Sequence, residues 1–324
     1  MSNNAHAIEV DTAGLQTAEL AAADLKTESK PAILSTTDEA KDLVVNEMKS
    51  PVPTKNSELA ERMKDILVAG LKAIIPPIIG IIVFLIGWTL LSQFRPTLPN
   101  PIVTAQSAIE LFAHPFYIES ANDQGIGWNI LSSLGRVGTG FGLAALIGIP
   151  LGFIIGRVKF IRDMMAPIIS ILRPVSPLAW LPIGMVVFQS ANPASIWVIF
   201  ISSIWPIILN TSAGVAQVPQ DYLNVARVLR LSEWKVFTKI LLPSALPYLL
   251  TGIRLSVGVA WLVIVAAEMV SGGKGIGFWV WDEYQNSQYA HIIVGIFVVG
   301  LLGLVIEQLL ILATKLITRG ETTS

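Results

Sequence analysis

From residue 73 to the end, long apolar runs alternate with short polar breaks. Six runs, at approximately 73–94, 132–156, 163–189, 193–213, 245–271 and 289–317, each reach the roughly 20 residues that a bilayer-spanning helix needs. The third and fourth are separated only by SANP, which predicts a tight turn ending in Pro193. Upstream, ELAERMKDILVAGLK (58–72) spaces Leu59, Met63, Ile66, Leu67 and Leu71 at helical intervals with charges on the other face. That pattern predicts an amphipathic helix lying on the membrane surface. Residues 1–57 have no apolar period and too few large apolar groups to bury a core, so they read as a disordered tail. They lack the basic start and apolar stretch of a signal peptide. The loop 95–131 carries Pro96, Pro99 and Pro101 and then TAQSAIELFAHPF, which reads as a short helix outside the bilayer.

The polar breaks differ in charge. Arg62, Lys64 and Lys72 precede the first run, Arg157, Lys159 and Arg162 join the second to the third, and Arg227, Arg230, Lys235 and Lys239 join the fourth to the fifth. Lys315 and Arg319 close the sixth, whereas the alternate loops carry only Arg95 and Lys274 against several acids. Basic loops stay inside, which predicts both termini and the 221–243 stretch on the cytoplasmic side.

Composition narrows the class. The chain of 324 residues is 53% hydrophobic and 14% charged, against about 25% charge in a soluble domain. A net charge of −1 argues against nucleic-acid binding. With no cysteine, disulfides and thiolate metal sites are excluded, and three scattered histidines make a histidine metal cluster improbable. There is no G-x-x-x-x-G-K-[ST] loop for a nucleotide and no hydrolase or metalloprotease signature. GGKGIG at 272–277 has the wrong spacing for a phosphate loop, and its glycines are expected to let the fifth run end in a sharp turn.

Ionisable groups inside apolar runs are costly and therefore informative. At about 1.5 Å per residue, Arg136 and Glu268 fall near the external ends of the second and fifth runs, and Arg254 and Glu307 in the inner halves of the fifth and sixth. Each pair is placed to neutralise itself. Arg173 sits midway along the third run with no acid at its depth, and it opens RPVSPLAWLP, where Pro174, Pro177 and Pro182 discourage straight helix. Broken backbone at membrane depth is tolerated when packed in protein or lining a wet cavity. Arg173 is thus either a stop for an anion or the holder of a kink. Candidate pathway residues are Arg173, Ser176, Trp180 and Gln189, with Arg136 and Glu268 toward the outside.

The segment DYLNVARVLRLSEWKVFTKILLP (221–243) is too charged to span and too apolar for an idle loop. Tyr222, Val225, Ala226 and Leu229 form one helical stripe, and Trp234, Phe237, Ile240 and Leu241 a second after a break near Arg230–Ser232. Ser232 is placed to N-cap the second helix. By amphipathicity alone the pair could equally rest on anionic headgroups.

The residue order resembles the cytoplasmic coupling loop of binding-protein-dependent ABC importer permeases. That loop reads E-A-A, three residues, G-A-S, four residues, F, two residues, an aliphatic, one residue, then L-P. Ala226, Ser232, Phe237, Ile240, Leu242 and Pro243 agree with it, while Asn224 replaces the acid and Arg230 the glycine. An arginine where φ is positive should cost about 1 kcal/mol or more, unless the turn differs. RPVSPLAWLPIGMVVF, LSEWKVFTKILLPSALPYLLTGIRLSVGVAWLVIVAAEM and GGKGIGFWVWDEYQN extend the likeness, over roughly 75–318, to cyanobacterial-type nitrate/nitrite and bicarbonate permeases. Sulfonate and taurine permeases are more distant relatives.

The resemblance implies an all-α type I importer permease fold working as a homodimer. Two ATPase subunits, one of which in this family can carry a fused binding-protein-like domain, would bind ATP and Mg, and an external binding protein would deliver substrate. It implies no cofactor in this chain. It also makes Asn224, Ala226, Arg227, Arg230, Ser232, Trp234, Phe237 and Lys239 the coupling residues, with Trp234 and Phe237 as apolar anchors. An ATP-independent secondary transporter would be favoured by inverted repeats, and none is evident. A membrane scaffold without transport fits poorly with a broken, arginine-bearing run.

Overall fold

The computed structural model describes residues 55–95, 97–120 and 123–319. The expected 1–57 tail falls outside them but for its last three residues, which open a helix. All regular elements among the described residues are helical: α1 Lys55–Phe94, α2 Pro101–Ala113, α3 Ile126–Arg157, α4 Lys159–Leu172, α5 Leu181–Phe188, α6 Ala191–Ala216, α7 Gln220–Val228, α8 Glu233–Ser271, α9 Ile276–Gln285 and α10 Tyr289–Arg319. The chain divides into two compact units, 1–80 and 81–324. The described part of the first is helix throughout, and the second holds the rest of α1 and everything after it.

Among the described residues, five helical stretches are long and apolar enough to cross a membrane: Ile74–Phe94, Ile126–Arg157, Ala191–Ala216, Glu233–Ser271 and Tyr289–Thr318. The sixth expected span is bent, with Lys159–Leu172 and Pro177–Phe188 meeting at 93°. Its cause is visible in the sequence. Arg173 still has helical φ/ψ, Pro177 opens a 3-10 turn to Trp180, and Pro182 occupies the first turn of α5, where a missing N–H costs nothing. The surface helix expected at 58–72 is not a separate element, because α1 runs unbroken through it into the first span. The turn expected at SANP instead centres on Gln189, which closes α5 at φ 52°, and Pro193 already lies inside α6.

Packing of the second unit centres on α3, α6 and α8. Along α3, Gly140, Ala144, Gly148, Gly152 and Gly156 are buried at intervals of four residues. Opposite them stand Ile199, Ile207, Thr211 and Val215 of α6, in the same chain order, so α3 and α6 run parallel. Lipid tails provide no hydrophobic drive between helices, so close backbone approach over small residues has to supply the contact. A Cβ on Gly152 would lie 2.7 Å from the Thr211 Cβ and 3.0 Å from the Ile208 carbonyl oxygen. Gly152→Leu is accordingly expected to lower stability by roughly 1–3 kcal/mol through overpacking, read as a lower unfolding midpoint in detergent. Against α6, α8 runs antiparallel: Gly214 meets Ala245 and Tyr248, Gly252 meets Asn210, and the Ser256 hydroxyl donates to the Ser203 carbonyl (2.7 Å). Parallel α3 and α6 need a return path between them, and the bent α4–α5 pair provides it.

Candidate functional site

Two places gather the chemistry singled out from the sequence: the α7–α8 loop at the basic end of the bundle, and the charged groups buried along the spans.

At the loop, α7 has Asp221 in its first turn and Arg227 in its last, each sign opposing the helix dipole. The helix ends at Leu229, and Arg230 then adopts φ 48°, the left-handed region. The Leu231 amide returns to the Ala226 carbonyl (3.0 Å), closing the turn. The bend expected near Arg230–Ser232 is therefore present, at the cost foreseen for a non-glycine residue there. Ser232 caps the next helix, its Oγ accepting from the Lys235 amide (3.4 Å). That helix is not a second free arm. It passes through a π turn at Phe237–Leu241 and becomes the first turns of α8. Anything that moves the loop moves a span.

The packing separates the two aromatic residues of the loop. Phe237 is turned into the protein's own core, edge-on to Phe153 of α3 (4.9 Å between centroids) and stacked on Trp234 (5.6 Å). Ala226, Val236 and Leu241 are buried beside it, and Arg157 at the end of α3 pairs with Glu233 (2.6 Å). The residues left facing outward are Val228 (82% exposed), Trp234 (71%) and Leu229 (64%), with Tyr222 and Val225. Around them lie Arg227, Arg230, Lys235 and Lys239, all exposed, and Arg227 is steadied by Asn224 (3.3 Å). Of the two expected anchors, Trp234 is exposed together with Val228 and Leu229, while Phe237 packs inward. Beside it, between the end of α3 and the start of α8, lies an apolar cleft of 460 Å³ that includes Pro150, Ile154 and Trp234.

At the opposite end Arg136 and Glu268 do pair (2.6 Å), and Glu268 is fully buried. Its carboxylate also accepts from the Ser133 hydroxyl (2.8 Å) and the Gly277 amide (3.0 Å). Ser133 accepts from the Ile276 amide (2.9 Å), and Asn129 accepts from Gly275 (3.0 Å). Arg136 further donates to Asn192 (2.6 Å) and to the Lys274 carbonyl. Gly272, Gly273 and Gly275 take φ of 73°, 92° and 130°, so the GGKGIG turn is sharp, as its glycines predict. At the start of α9 the Gly277 amide is taken by the protein's own carboxylate, and the Gly275 and Ile276 amides by Asn129 and Ser133, so the helix N-terminus is filled from within. Sealed in this way, the fully buried Glu268 ties α3, α8 and α9 together.

Arg254 and Glu307 also meet (2.5 Å), each about half exposed, in a groove of 710 Å³ between α8 and α10. Exchanging the two charges is expected to restore assembly that Arg254→Glu or Glu307→Arg alone impairs. Complex yield after mild detergent extraction checks this, and a double variant as poor as the singles would dissolve the pair.

Arg173 has no carboxylate partner among the described residues. It opens onto a groove of 550 Å³ whose wall includes Ser202, Trp205, Asn210 and Leu255. Ser176, Trp180 and Gln189 are not in that wall. Ser176 precedes the 3-10 turn, Gln189 is the exposed cap of α5, and the half-buried Trp180 keeps its indole N–H unpaired. The polar wall comes from α6, and its signal was present in the sequence: Ser202, Trp205 and Asn210 interrupt an otherwise aliphatic run on one helical face.

Comparison with known proteins agrees in fold and in sequence. Residues 148–320 match the family described as the binding-protein-dependent transport system inner membrane component. The chain is 46% identical over 252 residues to the bicarbonate transport system permease protein CmpB of Synechocystis sp., spanning 76% of this chain and 90% of that one. It is 45% identical over 249 residues, at the same coverage, to the nitrate import permease protein NrtB of Synechocystis sp.. Its fold resembles an inward-facing structure of the MetNI methionine ABC transporter, with a TM-score of 0.50 at 18% identity, covering 59% of this chain and 94% of that one.

Proposed function

Because the chain belongs to the binding-protein-dependent transport inner membrane component family, we propose that it is the membrane-spanning subunit of an ATP-driven importer for a small inorganic oxyanion, nitrate or nitrite ahead of bicarbonate. Similarity of 45–46% over nearly the whole length of nitrate and bicarbonate permeases carries this reading. Those two anions share one negative charge and a small trigonal frame. Arg173 supports the reading, since one guanidinium without a carboxylate partner among the described residues matches one anionic charge, and Asn210 in the same groove keeps a second N–H beyond the one it gives to the Pro206 carbonyl (2.8 Å).

In this scheme two copies of the chain sit in the plasma membrane with both termini in the cytoplasm. An external binding protein delivers the anion, and two ATPase subunits bind MgATP and hydrolyse it. The Val228–Leu229–Trp234 face seats in a groove of the ATPase with the basic residues at its rim, apolar centre and charged edge being the usual division of an interface. Closure of the ATPases pushes on α7 and the start of α8. Because α8 continues into the span that walls the Arg173 groove, the push reaches the pathway through one rigid helix.

Choice between the two anions is tested by uptake in a strain lacking its own nitrate, nitrite and bicarbonate systems, complemented with the whole importer and offered each anion separately. Nitrate or nitrite accumulation supports the first choice. Bicarbonate accumulation alone reverses it.

A further inference from the structure

Helix α2 was expected outside the bilayer, yet its surroundings put it lower. The Trp88 indole of α1 donates to the carbonyl of Pro99 (3.0 Å), just before α2 begins. Trp88 lies six residues, about 9 Å, before the end of α1. Its ring also packs on Phe297 (5.8 Å), eight residues or about 12 Å inside α10. After leaving α1 the chain therefore turns back toward the membrane, and α2 starts within about two helical turns of the span ends. Asn100 caps it, accepting from the Val103 amide (2.8 Å), and Pro101 at its first turn has no N–H to satisfy.

The surface of α2 falls into three sectors at about 100° per residue. Thr104, Ala108 and Leu111 face the protein; Thr104 is buried, and the other two pack on the core around Ile126, Val294 and Val298. Next to them Ile102 (70% exposed), Ala105, Ile109 (73%) and Phe112 (50%) form a second, wholly apolar sector with no protein over it. Gln106, Ser107 and Glu110 form the third with Val103, whose side chain lines a polar cavity with Ser287 and Gln288. A helix in water has no use for the second sector, and a helix deep in lipid has none for the third. Only the boundary between headgroups and acyl chains satisfies all three. Leu90, Leu91 and Phe94 at the end of α1 are likewise exposed, on a span that has to meet lipid.

We propose that α2 is an interfacial anchor, with Ile102, Ile109 and Phe112 in the acyl region of the adjoining leaflet and Gln106 and Glu110 in its headgroup layer. The anchor acts on the core. Beyond α2 the Pro115 carbonyl accepts from the Gly127 amide (2.7 Å), and Phe116 packs edge-on to Trp128 (5.6 Å), tying the helix to the first turn of α3. That turn leads directly to Asn129, Ser133 and Arg136, so the leaflet holds the end of α3 that carries the buried tie.

The chain has no cysteine, so single-cysteine variants need no background changes. Ile109→Cys, Phe112→Cys, Gln106→Cys and Glu110→Cys would each carry a nitroxide in the assembled importer, reconstituted in phosphatidylcholine–phosphatidylglycerol vesicles. Collisions with oxygen, which partitions into lipid, are compared with those of a water-soluble nickel chelate. Oxygen collisions should dominate at 109 and 112, and nickel collisions at 106 and 110. Nickel dominance at all four positions would put α2 in water and overturn the proposal. Low collision rates with both probes at 109 and 112 would mean that protein covers the sector, and would overturn it equally. Neither result bears on which anion is carried.

Discussion

Removing the carboxylate of Glu268 is expected to eliminate most of the folded protein. In Glu268→Ala the Ser133 hydroxyl and the Gly277 amide lose their acceptor, and Arg136, with a side chain only 11% exposed, keeps its charge without a counter-ion. Breaking a buried pair from one side costs about 3–5 kcal/mol, against a total stability of about 5–15 kcal/mol for an ordinary domain. Folded yield and the unfolding midpoint in detergent should both collapse. Glu268→Gln, which keeps an acceptor oxygen for one of the donors, should fall between Ala and the native residue. A near-native midpoint for Glu268→Ala would mean that the tie between α3, α8 and α9 holds little together. The Arg254–Glu307 pair, half open to its surroundings, is expected to be far more forgiving.

The second large effect concerns the drive. Val228→Asp combined with Leu229→Asp should abolish co-purification of the ATPase subunits while leaving the permease's own midpoint unchanged, since both side chains project from the protein. Loss of a central apolar anchor costs about 2 kcal/mol or more, at least roughly thirtyfold in affinity. Phe237→Asp is the contrasting control. Its ring is packed on Phe153 and Trp234, so it should lose the ATPase and lower the midpoint together. Retention of the ATPase by the Val228/Leu229 double variant would place docking elsewhere.

Much of this architecture could be read from the chain because membrane helices announce themselves by length and by what interrupts them. Depth counting along the apolar runs paired Arg136 with Glu268 and Arg254 with Glu307, since a charge in lipid has few ways to be satisfied. Ser232 as an N-cap and the sharp glycine turn at 272–275 were local properties and equally legible. What was not legible is which neighbour covers an apolar face. The period of Trp234, Phe237, Ile240 and Leu241 defines a stripe, but only packing shows that Phe153 fills one side of it and leaves Trp234 bare. The same limit hid the continuity of the loop helix with α8, because the 221–243 segment reads as two short helices ahead of the run at 245–271, whereas the second passes through a π turn into that run. Prolines at 174, 177 and 182 foretold a distortion without its angle, and the wall of the Arg173 groove came from α6, a helix remote in sequence. The small-residue stripe on α3 is a four-residue period in the sequence, masked by the stronger hydropathy signal.

The most direct test of an ATP-driven anion importer is uptake by the complete assembly. This chain, its ATPase subunits and its binding protein would be reconstituted in vesicles and supplied with labelled nitrate, nitrite or bicarbonate. Accumulation of one of these anions should require both ATP and the binding protein, and Arg173→Gln should slow it severely while the assembled complex keeps its yield. Accumulation without ATP by the chain alone would make it a secondary transporter, and undiminished uptake by the Arg173 variant would take that residue off the path.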